Sequence, residues 1–181
     1  EANVALVRNN ARVGAEVARG LVMREDAPGD MSTVRAPCLQ HPLVVIGGST
    51  VDVLATVSDT STLALGTSTP GHAKVFFGGV GRNIAETAAR LWRSNEEGDT
   101  VPPPLLISAV GGDHFGATLA RHCVDTLGLP DCGFVRTNAQ TGMYFATFDT
   151  EGDLAYAIAD TDVTRAICPN VVRRFSESIQ S

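Results

Sequence analysis

Phe77-Gly78-Gly79-Val80-Gly81-Arg82-Asn83-Ile84-Ala85 stands between an extended run, Ala73 to Phe77, and an amphipathic one, Arg82 to Arg93. Glycines at a strand-to-helix junction serve either a tight turn or the close approach of a ligand to bare backbone. Free N–H groups at the start of the helix can bind oxygen atoms. Two familiar patterns are excluded. A Walker loop needs Gly-Lys-Ser/Thr at its end, which is absent. The dinucleotide fingerprint needs a third glycine where Ile84 stands. Asn83 falls in the first helical turn and both donates and accepts hydrogen bonds, which tilts the reading toward a ligand. Ile84, Ala88, Leu91 and Trp92 form the expected apolar face of the helix.

Outward from this junction the chain reads as strand, helix, strand, helix, the alternation of an α/β domain with a parallel sheet. Upstream, Leu43-Val44-Val45-Ile46 is a short β-branched run ending at Gly47-Gly48, and Val51 to Val57 continues as extended structure. Downstream, Ser94 to Pro104 is a polar, proline-rich loop before the strand Leu105 to Val110. Asp113 is placed to cap a helix over Phe115 to Leu127 that Gly128 ends. Strands follow at Phe134–Thr137, Met143–Asp149 and Leu154–Asp160, the last two joined through a hairpin turn at Thr150-Glu151-Gly152-Asp153. The extended segments around 51–77 and 134–160 have no helices between them and predict a separate antiparallel flap. Asp52 lies among Val51, Val53 and Leu54. It is either a solvated surface carboxylate or a ligand for adjacent hydroxyls, since a carboxylate accepts two charge-assisted hydrogen bonds.

The chain has 181 residues, 44% hydrophobic and 19% charged, with a net charge of −6. That suits a soluble globular domain, and no basic stripe speaks for nucleic acid. No apolar run approaches the length of a membrane span. Cys38, Cys123, Cys132 and Cys168 lack Cys-x-x-Cys spacing, and His41, His72, His114 and His122 form no zinc pattern. Four reduced thiols in a cytoplasmic protein are expected, with a mitochondrial or other organellar location as the alternative. Val4, Val7, Ala11, Ala15, Ala18 and Val22 predict an amphipathic helix over residues 3–22. Residues 23–42 carry Pro28, Gly29, Pro37 and Pro42 and read as a linker.

Three motifs in order and spacing resemble the ribokinase/PfkB family of carbohydrate kinases: Val44-Val45-Ile46-Gly47 with Asp52, Phe77 to Ala85, and Leu106-Ile107-Ser108-Ala109-Val110-Gly111-Gly112-Asp113-His114-Phe115-Gly116. The Val-Gly-Arg-Asn-Ile-Ala version is similar to pseudouridine kinases in particular. Gln140-Thr141-Gly142-Met143-Tyr144 and Ala157-Ile158-Ala159-Asp160 match substrate-facing strands of that subgroup. The resemblance implies a ribokinase-like three-layer α/β domain with a mainly parallel sheet and a small β lid. It implies a nucleoside or sugar as substrate, ribose, adenosine and keto-sugar acids being alternatives to pseudouridine, with ATP and Mg2+ as cofactors. Asp52 would bind ribose hydroxyls, with Gly78, Gly79 and Asn83 on the opposite side and Thr141 and Asp160 near the nucleoside. Thr50 departs from the asparagine often found two places before the aspartate. The lid is expected to close over the sugar or to be covered by a second copy in a homodimer.

Residues 1–22 resemble the C-terminal helix of pseudouridine-5′-phosphate glycosidases, so the chain reads as part of a bifunctional fusion: 1–22 glycosidase-like, 23–42 linker, 43–181 the N-terminal half of a kinase domain. The family's catalytic aspartate lies in a Gly-Ala-Gly-Asp turn opening a late helix. The only lookalike, Asp149 to Asp153, is followed by a strand. The catalytic aspartate and adenine site are therefore expected beyond Ser181, and the 181-residue chain by itself is expected to be inactive.

Overall fold

The computed structural model describes residues 41–58, 66–94 and 101–176. The expected helix at 3–22 and nearly all of the linker at 23–42 lie outside them, as does the likeness of residues 1–22 to a glycosidase. Two sheets make up the fold. The first is wholly parallel and runs β1 (Val44–Ile46), β4 (Leu105–Gly111), β5 (Phe134–Thr137), with β4 in the middle. The second runs β3 (Gly71–Gly78), β2 (Thr50–Val57), β6 (Met143–Phe148), β7 (Leu154–Asp160). Two findings correct the expected antiparallel flap. Its central pair, β2 and β6, is parallel, and Phe134–Thr137 belongs to the first sheet. A strand that pairs in parallel needs a long crossover, and the chain supplies one by building β3, β4 and β5 between β2 and β6.

Two helices of eight residues or more are described. α1 (Val80–Arg93) follows β3, and α2 (His114–Asp125) connects β4 to β5 as a βαβ crossover. Gly128, at φ 69°, ends the path of α2 with its N–H on the Val124 carbonyl at 3.0 Å. A 3-10 turn over Asp162–Ala166 and the short α3 (Pro169–Arg173) close the described chain. The β6–β7 connection is a hairpin turn: Gly152 has φ 86°, and the Asp149 carboxylate accepts from the N–H groups of Glu151 and Asp153.

The core lies on one face of the first sheet, where Leu106 and Val110 meet Ala85, Ala89, Leu119, Ala120 and Cys123. The alternate residues Leu105, Ile107 and Ala109 point to the other face and are buried as completely, and the 3-10 turn packs on β4 and β5. α1 does not bury the expected face. Its buried residues are Gly81, Arg82, Ala85 and Ala89, whereas Ile84 and Leu91 are 52% and 66% exposed. Small residues let the helix axis come close to the sheet, so the larger apolar side chains are turned out. Cys123 and Cys168 are free thiols, but Cys132 is disulfide-bonded, which corrects the reading of four reduced thiols. Among the described residues no helix is long and apolar enough to cross a membrane.

Candidate functional site

The loop after β1 and the turn after β3 interlock backbone to backbone. Gly79 has φ 92°, and a Cβ on it would come within 2.5 Å of the Gly48 carbonyl oxygen and 2.7 Å of the Ser49 Cα. A Cβ on Gly81 would stand 2.6 Å from the Gly47 carbonyl carbon. The Arg82 N–H bonds the Gly48 carbonyl at 3.2 Å. The side-chain space of these glycines is thus filled by the neighbouring turn rather than left open for a ligand. Their role in the site is to seat the N-terminus of α1 beside the end of β1.

Gly78 does something different. A Cβ there would overlap the Asp52 carboxylate, so only glycine leaves room for that side chain. Asp52 sits directly opposite Phe76 across β2–β3, half-buried, and Thr50 donates its hydroxyl to Oδ1 at 2.6 Å. Thr50 is 8% exposed, so the residue that departs from the family's asparagine orients the carboxylate through a short bond. Asn83 stands exposed one turn into α1, and its Oδ1 accepts from Arg82 Nη1 at 3.0 Å.

Arg82, Glu86 and His122 were not singled out from the sequence. Arg82 is buried, and its Nη1 pairs with Glu86 Oε2 at 2.6 Å while Nη2 meets His122 Nε2 at 3.2 Å. The His122 ring packs against Phe77, centroids 4.8 Å apart. The hydrogen bond from Arg90 and the charges of Arg82 and Arg90 hold the Glu86 carboxyl below its ordinary value, against the opposing effect of burial. Burial first, and then the Arg82 charge, lower the pKa of His122, with Glu86 opposing them. Burial also pushes the Cys123 thiol up to about 11, the nearby Arg82 opposing it. The Arg82–Glu86 spacing of four was legible as a helical pair; His122, forty residues away, carried no local signal.

Thr141 is 1% exposed and its hydroxyl is engaged within the fold: it donates to Asp113 Oδ1 at 2.6 Å and accepts from the Gly111 N–H at 3.1 Å. It braces β4 against α2 and turns no hydroxyl toward the Asp52 carboxylate. Asp113 caps α2 as expected, accepting from the Gly116 N–H at 2.8 Å and from the Thr141 N–H at 2.7 Å. Burial raises its pKa, but the Thr141 hydroxyl and the N–H groups of Gly116, Thr141 and Phe115 outweigh that and hold the carboxyl below the ordinary aspartate value. Asp160, exposed at the end of β7, is paired with Met143, in the row of Val51. Strand alternation puts that row on the opposite face of the sheet from Asp52. Asp52 therefore meets Gly78 directly, with Gly79 and Asn83 following in the same turn, while the Thr141 hydroxyl is held by Asp113 and Asp160 lies on the other face of the sheet.

The described residues show no clustered ligands for Mg2+. No group of three His, Cys, Asp or Glu side chains among them is placed to hold a metal, and the glycines of the α1 turn are occupied by Gly47, Gly48 and Ser49. A surface depression of about 410 Å³, lined by Ala117, Arg121, Val124, Asp125, Asp131 and Arg136, lies away from the glycine turn.

No family model matches the chain. Over 138 residues it is 30% identical to the pseudouridine kinase of Escherichia coli K12, covering 76% of this chain and 41% of that protein. Among solved structures, a protein assigned as a sugar kinase from Clostridium perfringens is 30% identical with a TM-score of 0.60, over 74% of this chain and 39% of the other. The ribokinase of Giardia lamblia is 23% identical with a TM-score of 0.55, over 67% and 36%. The chain spans about two fifths of the length of the relatives it matches. These likenesses, with the parallel β1-β4-β5 layer and the β3-β2-β6-β7 sheet beside it, make the fold ribokinase-like α/β.

Proposed function

We propose that this chain is the sugar-binding part of an ATP-dependent nucleoside kinase with pseudouridine as its preferred substrate, phosphorylated at the ribose 5′-hydroxyl. The observation that carries the reading is the Asp52 carboxylate, half-buried, oriented by Thr50 and seated over Gly78 at the entrance to α1. An ionised carboxylate there accepts from two neighbouring hydroxyls, and Asn83 meets the sugar from the first turn of α1. ATP and Mg2+ serve that kinase as cofactors. In the same reading residues 1–22 are the end of a glycosidase fused to the kinase, the enzyme that acts next on the phosphorylated nucleoside.

The test is calorimetry on the full-length protein. Asp52→Ala should weaken pseudouridine binding by roughly 2–4 kcal/mol and Asn83→Ala by about 1–2 kcal/mol, with both variants folded by circular dichroism. Binding of Asp52→Ala within about threefold of the parent, a loss of only ~0.7 kcal/mol, overturns the ribose-diol role. Tighter binding of ribose or adenosine than of pseudouridine moves the substrate within the same reading.

A second reading is favoured by one observation. Val75, Phe145, Ile158 and Tyr156 share one face of the β3-β2-β6-β7 sheet by register and are 43–61% exposed. Such an apolar face suits a second copy of the chain, which gives either a dimeric kinase closed at the lid or a self-associating protein without catalysis. Binding of pseudouridine separates the two.

A further inference from the structure

We propose that Arg82 is a positioning residue that holds the Asn83 amide with its oxygen inward and its NH2 group toward the ligand. The site then presents an acceptor at Asp52 and a donor at Asn83. The proposal rests on the reading of Asp52 and Asn83 as sugar contacts and deepens it.

Three observations carry it. A guanidinium only donates, so the Asn83 amide atom 3.0 Å from Arg82 Nη1 must be the oxygen. That leaves both N–H bonds of the amide for a partner outside the helix, and Asn83 is exposed. The guanidinium itself is fixed. Arg82 is 7% exposed, with Glu86 on Nη1 at 2.6 Å and His122 on Nη2 at 3.2 Å. A planar fork held at both tips has no freedom to turn. Lastly, Arg82 Nε is buried without a hydrogen-bond partner. A buried orphan donor is unfavourable, and the side chain keeps it in order to place Nη1 and Nη2, which locates the function at those two nitrogens.

The consequence for the ligand is a pattern of polarity. One hydroxyl must give its proton toward Asp52, and another must offer a lone pair to Asn83. A vicinal diol does both. A ligand with a donor-only group at the Asn83 position does not.

The experiment uses the full-length protein, with pseudouridine and D-ribose as probes, and compares Arg82→Met, Asn83→Ala, the double variant and Asn83→Asp. Arg82→Met should weaken binding roughly fivefold in the parent and leave it unchanged once Asn83 is alanine. Its thermal midpoint should fall equally in both backgrounds, which separates positioning from plain structural support. Equal binding losses in both backgrounds overturn the proposal. Asn83→Asp keeps the shape and pairs with Arg82 but has no N–H to offer, so it should fold and bind at least as weakly as Asn83→Ala. Binding at the parent level overturns the polarity. A readout without ligand stands apart from the substrate reading: the 15N order parameter of the Asn83 side-chain amide should be high in the parent and fall below about 0.6 in Arg82→Met. An amide already mobile in the parent overturns the proposal even if neither probe binds. An amide that is ordered by Arg82 in a protein that binds neither probe upholds the positioning and sinks the substrate instead.

Discussion

β4, Leu-Leu-Ile-Ser-Ala-Val-Gly, and β7, Leu-Ala-Tyr-Ala-Ile-Ala-Asp, are both seven residues long and mostly apolar. Every residue of the first is buried and every residue of the second is exposed. Nothing in their composition separates them. β4 has a parallel neighbour on each edge and α1 and α2 on one face. β7 is an edge strand with β6 alone beside it. Burial is set by the layers around a strand, and the same apolar letters stabilise in one place and wait for a partner in the other.

The largest effect expected from this contrast is on stability. Ile107 is fully buried in β4 and Ile158 is 50% exposed in β7. Ile107→Ala should cost about 2–5 kcal/mol and Ile158→Ala no more than about 0.5 kcal/mol, read from denaturant midpoints at low protein concentration. Equal losses would mean that β7 is covered within a single chain, and the comparison would collapse.

Next in size comes the polar bracket that holds the β4 end to α2 and the start of β6. Removing its centre in Asp113→Ala should cost about 1–2 kcal/mol, as for a helix cap. The pH dependence has a definite sign. The folded pKa of Asp113 lies below the ordinary value, so its contribution is complete above the usual aspartate range near ~3.9 and is lost as pH falls through the lowered value. Urea midpoints of parent and Asp113→Ala should therefore converge under acid. A constant gap down to pH 2 would assign the loss to packing.

Smallest in stability, yet decisive for the lid, is a charge on its exposed face. Ile158→Lys should leave the thermal midpoint of the monomer within about 0.5 kcal/mol of the parent and abolish concentration-dependent self-association in sedimentation. A parent that is monomeric at all concentrations removes the second copy as the cover of that face.

Local signals carried well where the physics was local. Asp113 was legible as a cap because capping needs a side-chain acceptor and an N–H three residues on, and the bond from Gly116 is that bond. Gly128 and the Asp149–Asp153 turn were legible because positive φ and short loops select their residues. The inward face of α1 was misread, since hydrophobicity favours Ile84 and Leu91 whereas the close approach of helix to sheet favours Gly81, Ala85 and Ala89. The glycines at 78–81 were legible as necessary, but not what fills their space. That space belongs to Gly47, Gly48 and Ser49 and to the Asp52 carboxylate, which are distant in the chain.

From the residues alone came the α/β alternation, the glycine turn before α1 and the Asp113 cap, because each depends on spacing and chemistry within a short segment. Tertiary structure alone decided that β2 and β6 pair in parallel, that the Thr141 hydroxyl bonds Asp113, and that His122 closes on Arg82. Those contacts join residues 28 to 92 positions apart. A sequence writes such neighbours nowhere near each other; the fold brings them together by burying β4 and closing the layers around it.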